Sequence, residues 1–273
     1  MVCRFPQNAN NGFISKFLLI ILLAMGAERS LAQDNYEIEV YESPTQTPGT
    51  TMVELHSNYT FGGNAFTSDG VFPTQHMEHE TVEITHGFNS WFEAALYLFN
   101  AIGSDNRTTF VGSHLRMRAA VPEVWKVPVG LSLSVEYGFQ NPHYCADDQT
   151  LEIRPIIDKK IKKWYFSFNP VVDKAFHGLD ANKGFEFSPC FKWSYDVTKK
   201  VAVGTEYYAS LGSFTGFDTY SNQQHQLFAA VDLDIDPKWE LNFGYGLSFT
   251  PATANDIFKI ILGHQFGRPQ KNK

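Results

Sequence analysis

This sequence predicts an all-β fold, a transmembrane antiparallel up-and-down β-barrel of about twelve strands. Three observations predict it. Apolar and polar residues alternate over segments of ten to fourteen residues, the connections are short and long in turn, and the chain opens with an export leader.

The leader comes first. Arg4 and Lys16 precede the apolar run from Phe17 to Met25, which is too short to cross a bilayer as a helix. Ser30, Leu31 and Ala32 then place small residues at −3 and −1 of a cleavage point before Gln33. Residues 1–32 are therefore read as a signal peptide. Gln rather than Cys after the cut argues against a lipid anchor. Losing Arg4, Lys16, Arg29 and Glu28 takes the 22 basic and 29 acidic residues to 19 and 28, so the mature chain is more acidic than the precursor. That balance excludes a nucleic-acid binder, which needs a basic face. Cys145 and Cys190 remain, the first read in a loop and the second inside a strand, so either pairing or two free thiols is open.

Residues 33–50 follow. Tyr36, Ile38 and Val40 alternate with Glu37, Glu39 and Tyr41 until Pro44, Pro48 and Gly49 break the pattern. This is read as a periplasmic lead or as a plug folded inward.

Strands then fill residues 51–266. They are predicted at 51–61, 76–87, 90–99, 109–120, 129–140, 149–158, 163–172, 184–197, 200–211, 223–235, 238–249 and 256–266. In the eighth, Phe185, Phe187, Phe191, Trp193 and Tyr195 share one face while Glu186, Ser188, Lys192 and Asp196 share the other. Transmembrane strands need about 9–11 residues, whereas strands of soluble proteins run about 5–6. Short turns are expected at 87–89, 159–162, 198–199 and 237, with a longer one at 121–128. Long loops are expected at 62–75, 100–108, 141–148, 173–183 and 212–222, with a briefer one at 250–255. Outer-membrane barrels are wired in this way. A soluble sandwich shares the period of two, but 24 Phe, 12 Tyr and 5 Trp would overfill its interior. They suit a lipid-facing wall, with Phe185, Phe187, Phe191, Trp193, Trp239, Phe243 and Tyr245 as its clearest aromatic members. The last strand ends at Phe266, and residues 267–273 form a tail. Pro155, Pro170 and Pro189 fall inside three consecutive strands, where bulges or a local kink are expected.

Three phrases resemble a known group. Val82-Glu83-Ile84-Thr85-His86-Gly87-Phe88-Asn89-Ser90-Trp91-Phe92-Glu93, continued by Ala94 to Leu98, is similar to the EITxGxTDWFExGLYL phrase of uncharacterised bacterial outer-membrane β-barrel proteins. These are themselves similar to the MetA-pathway (phenol-degradation) outer-membrane family. Leu151 to Asp158 and Lys183 to Pro189 resemble further phrases of the same proteins. Asn89-Ser90 stands where the group has Thr-Asp at the turn. The resemblance implies a single barrel over about residues 50–266, for small or aromatic solutes.

With apolar faces on lipid, the opposite faces line a lumen. They carry Glu54, His56, Glu83, Glu93, His114, Arg116, Arg118, Glu136, Glu152, Arg154, Asp158, Glu186, Lys192, Glu206 and Lys259, together with Asp196, Asp232 and Asp234. Opposite signs on neighbouring strands fit an ion-pair network first and a selectivity lining second. Acidic groups outnumber basic ones, so an open pore is expected to favour cations or neutral solutes.

Chemistry-bearing motifs are few. In His76-Met77-Glu78-His79-Glu80, strand geometry puts His79 opposite His76, Glu78 and Glu80, so a solvated cluster is expected rather than a metal site. His177 has no Ser at a matching position, and Ser188 is assigned to the lumen face, so an esterase or lipase is a remote alternative. The expectation is a non-enzymatic conduit or binding barrel, without cofactor, in the outer membrane of a Gram-negative bacterium. Its partners would be membrane lipid, small solutes and the barrel-assembly machinery. A structural or adhesive barrel presenting loops 62–75, 173–183 and 212–222 is the alternative.

Overall fold

The computed structural model describes residues 36–104 and 106–269. The proposed signal peptide lies outside them, as does the end of the tail. Twelve strands form one closed antiparallel barrel in which each strand pairs with its chain neighbours and β12 returns to β1. They are β1 (Thr50–Gly62), β2 (Met77–Asn89), β3 (Phe92–Ile102), β4 (Thr108–Ala120), β5 (Gly130–Gln140) and β6 (Gln149–Ile161). They continue as β7 (Trp164–His177), β8 (Glu186–Asp196), β9 (Val201–Ser210), β10 (Gln224–Leu233), β11 (Trp239–Ser248) and β12 (Asn255–Gly267). Closure runs from Thr50↔Gly267 to Gly62↔Asn255, so no edge is left to pair with another chain.

Alternation decides which side chain meets which medium. Along β5, Ser132, Ser134 and Glu136 are buried while Leu133, Val135 and Tyr137 are exposed. Apolar side chains thus cover the outside and polar ones the inside, the reverse of a soluble barrel. Trp91, Trp164 and Trp239 sit beside the turns that join β2 to β3, β6 to β7 and β10 to β11, with Trp193 two residues from Tyr195 and packed on Trp164. Phe61, Phe110, Phe139, Phe176 and Phe249 ring the opposite end, all exposed. From Trp239 to Phe249 the chain rises roughly 33 Å, or about 25 Å along the normal at a tilt near 40°, the height of an apolar membrane band.

The prolines bring the expected lost rungs but not a bulge. Pairing between β6 and β7 lapses between Ile153↔Val172 and Ile157↔Phe168, then resumes without a shift of register. Pro170 faces Pro189 on β8, and the same register sets Pro155 across from Pro170. The three form a row across three strands. Missing N–H groups open rungs, but none of these residues adds an extra one, so no bulge results. The register shifts lie elsewhere, at Gly87/Asn89, Phe99/Asn100 and Gln149/Thr150. Boundaries also move: β6 extends to Ile161 and β7 starts at Trp164, leaving Lys162–Lys163 at the tip, β2 extends to Asn89, and β7 runs on to His177, inside the expected 173–183 loop.

Candidate functional site

The site is the lumen, built from the inward residue of every second position. Its charges pair across strands. Arg116 on β4 reaches Glu83 Oε1 on β2 at 2.7 Å and Glu93 on β3 at 3.1 Å, and Arg118 reaches Glu93 at 2.8 Å. Arg154 pairs with Glu152 at 2.6 Å on β6, and His114 with Glu136 at 2.5 Å. On the far wall Lys259 of β12 grips Glu206 of β9. Glu206 also takes Lys192 at 3.4 Å and the Tyr208 hydroxyl at 2.8 Å. Lys192 continues to Asp232 at 2.9 Å. Lys259 and His56 are fully buried.

Residues 36–48 run through this lumen. Gly49, with φ +77, turns the chain from the inner segment into β1, and its amide donates to the Gly87 carbonyl at 2.7 Å. The segment joins no sheet. Its backbone groups, which could not go unpaired when buried, are taken by wall side chains instead. Thr81 donates to the Tyr36 carbonyl at 2.7 Å, Lys259 to that of Ile38 at 2.8 Å and Arg154 to that of Glu39 at 3.2 Å. Ser167 and Asn169 donate to the Tyr41 carbonyl at 2.6 and 3.1 Å, and Arg118 to those of Glu42 and Pro44 at 3.0 Å each. In the other direction the amides of Tyr41 and Ser43 donate to Asn169 Oδ1 and Asp158 Oδ2, both at 2.8 Å. At Gly87 a Cβ would come within 2.2 Å of the Gln46 carbonyl oxygen, so the wall has no side chain where the segment presses closest.

Side chains lock the same path. The Tyr41 ring lies under three guanidinium groups, Arg154 at 4.2 Å, Arg116 at 4.8 Å and Arg118 at 5.6 Å, and its hydroxyl meets that of Tyr97 at 2.8 Å. Tyr36 packs with Met77, Tyr97 and Phe99, while Ile38 and Val40 pack with Val171, Tyr208, Phe228 and Ile257.

Two cavities flank the segment. The larger, of about 240 Å³ at the loop end, carries seven carboxylates (Glu37, Glu136, Asp147, Glu152, Asp173, Asp180 and Glu186) and one guanidinium, Arg154. The smaller, of about 130 Å³ toward the turn end, carries Glu39, Glu42, Glu54, Glu83 and Glu240 against Arg116 and Arg118. In the loops, burial raises the pKa of the Asp147 carboxyl, the Asp180 amide bonded to it opposes this, and the Asp180 charge adds to the rise.

No family model matches this sequence, and no curated protein matches it either. Solved structures do. An outer-membrane channel from Pseudomonas putida F1 superposes with TM-score 0.54 at 10% identity, over 84% of this chain and 100% of that one. The KdgM porin gives 0.51 at 8% identity over 79% of this chain and 99% of its own. The NanC porin gives 0.50 at 9% identity over 79% and 99%. The fold is that of outer-membrane channels.

Of the fifteen charged residues assigned to the lumen, Arg118, Glu152 and Glu186 are half-buried and the rest are buried, all on inward positions of the channel-type wall. Asp232 is inward too, and Asp196 sits at the turn-end rim in a 2.8 Å pair with Lys160. Asp234 is corrected: β10 ends at Leu233, which leaves Asp234 exposed in a turn. Phe185, Phe191, Trp193, Trp239 and Tyr245 are exposed, and Phe243 is half-buried, as is Phe187, covered by Phe214 of the next loop. In the His76–Glu80 stretch, His76 is exposed and Glu78 and Glu80 are half-buried on the outward face, while His79 has the opposite parity and is buried inward against Tyr36. His177 pairs with Asp148 at 2.6 Å in the loops, while Ser188 lines the larger cavity six residues down the β7 register, roughly 20 Å away. Cys145 and Cys190 are not joined to each other.

Sequence reading missed the apolar residues that point inward. Tyr97, Phe99, Phe228 and Ile257 hold the inner segment, and their signal was present: β3, FEAALYLFNAI, is apolar on both faces.

Proposed function

We propose that the chain is a passive outer-membrane channel for small solutes in a Gram-negative bacterium, its lumen narrowed by residues 36–48. One observation carries the reading: an apolar-walled barrel holds two acid-lined cavities with that segment between them. The carbonyls of Tyr36, Ile38, Glu39, Tyr41, Glu42 and Pro44 are held by wall side chains rather than by a strand ladder, so the segment can leave without opening the sheet. The resemblance to the phenol-degradation group extends the proposal to small aromatic solutes. Tyr36, His79 and Tyr144 on the larger cavity supply rings for such a solute to stack against. The adhesive reading is favoured by the exposed apolar side chains of the long loops, Phe66 on one, Leu179 on another and Phe214, Phe217 and Tyr220 on a third.

Liposome swelling separates the two. Entry of small neutral sugars into vesicles holding the full mature chain is expected, and vesicles as tight as protein-free ones would reject the channel. Planar bilayers test the lining. Seven carboxylates to one guanidinium predict a permeability ratio favouring potassium over chloride. The preference should weaken as pH falls, since Asp147 takes up its proton at a higher pH than a free Asp does. Anion selectivity would invert the assignment.

A further inference from the structure

We infer that Glu39, His56 and Glu83 form a binding site for a borderline divalent cation such as zinc, which fastens the inner segment to the barrel wall. Each of the three offers a ligand atom within 4.8 Å of the others. They come from three places: Glu39 from the inner segment, His56 from β1 and Glu83 from β2. Glu54 and Glu83 are direct partners in the β1–β2 register, so His56 stands one inward position further along the same wall.

His56 is the observation that points to a ligand. Its side chain is 0% exposed, and among the described residues neither ring nitrogen has a hydrogen-bond partner. A buried imidazole left so is costly and calls for an ion or water to complete it. Its Nε2 lies 3.5 Å from Glu83 Oε2. Two ligands bound to zinc at about 2.0–2.1 Å in a tetrahedron stand about 3.4 Å apart, so this pair already has the spacing of one edge.

Glu83 is prepared for the role. Its Oε1 is taken by Arg116 at 2.7 Å and by Thr85 at 2.6 Å, which leaves Oε2 turned to His56. Such outer contacts orient a metal-binding carboxylate. Arg116 does not cancel the site, because it divides its charge between Glu83 and Glu93. Glu39 and Glu83 both line the smaller cavity, where five carboxylates face two guanidinium groups. A dication offsets most of that excess, and the cavity can hold the water that fills the remaining position. One imidazole with two carboxylates suits zinc better than calcium or magnesium, which prefer oxygen alone.

Isothermal titration of zinc chloride into tag-free, chelator-stripped mature chain in detergent tests the site. One zinc per chain with micromolar or tighter affinity is expected. Glu39→Gln and His56→Gln should each weaken it roughly tenfold or more. The exposed histidines serve as the control: His76→Ala, His143→Ala and His177→Ala together should leave binding unchanged. Cobalt(II) should give the visible bands of tetrahedral N/O coordination in the parent and lose them in His56→Gln. Glu39 lies outside the barrel strands, so its variant decides the matter even where His56→Gln misfolds. No binding, or binding that survives Glu39→Gln but disappears with the exposed histidines, overturns the site. The titration needs no conductance, so a barrel that fails to conduct leaves this test standing.

Discussion

Joining residue 35 to Thr47, and so removing residues 36–46, should raise single-channel conductance several-fold while the barrel stays folded. The wall does not need the segment for its own charge balance. Arg116 with Glu83 and Glu93, Arg154 with Glu152, and Lys259 with Glu206 are pairs made within the strands. What the deletion removes is the material filling the lumen: Tyr36, Ile38, Val40 and Tyr41, all buried. Thr47 is kept because its carbonyl accepts the Thr50 amide at 3.0 Å and sets the start of β1. A twelve-stranded lumen lies between the side-chain-filled eight-stranded barrels and the open sixteen-stranded porins, so its contents decide whether it conducts. Planar-bilayer recordings of parent and deletion check this. Equal conductance would mean that another constriction limits flow.

Lys259→Ala should lower stability by about 3–5 kcal/mol, the cost of leaving one partner of a buried pair uncompensated. Glu206 would keep only Lys192 at 3.4 Å and the Tyr208 hydroxyl, and the Ile38 carbonyl would lose its donor. Adding Glu206→Gln to Lys259→Met should recover much of the loss, because a neutral pair of similar bulk needs no compensation. Denaturant unfolding in micelles, followed by tryptophan fluorescence, measures both. A single variant as stable as the parent would show that water reaches Glu206 in the folded barrel.

The barrel was legible because its rule is local. Each of Leu131, Leu133, Val135 and Tyr137 needs only its own parity to be placed outside, and such runs set strand positions to within a few residues. The turns at Lys162 and Asn89 were misplaced because Lys, Asn and Ser suit a strand end and a turn alike. The path of residues 36–48 was not legible, since it obeys no local rule. Tyr36, Ile38 and Val40 alternate as a strand would, yet the carbonyls of Tyr36, Ile38, Glu39 and Tyr41 are held by Thr81, Lys259, Arg154 and Ser167, side chains from four different strands. The convergence of Glu39 with His56 and Glu83 was hidden for the same reason. The prolines show the opposite error. Each was recognised as a lost rung, but only the shared register reveals that the three losses fall side by side.

The closure of β12 on β1 around residues 36–48 has a consequence for biogenesis. A complete ring admits nothing through its side, and the segment precedes β1 in the chain whereas β12 follows every other strand. The polypeptide must therefore either close the ring around residues 36–48 or draw that segment in later through a mouth. In the first case the segment serves as an internal template on which the wall is assembled, and the timing of the last strand decides whether it is caught.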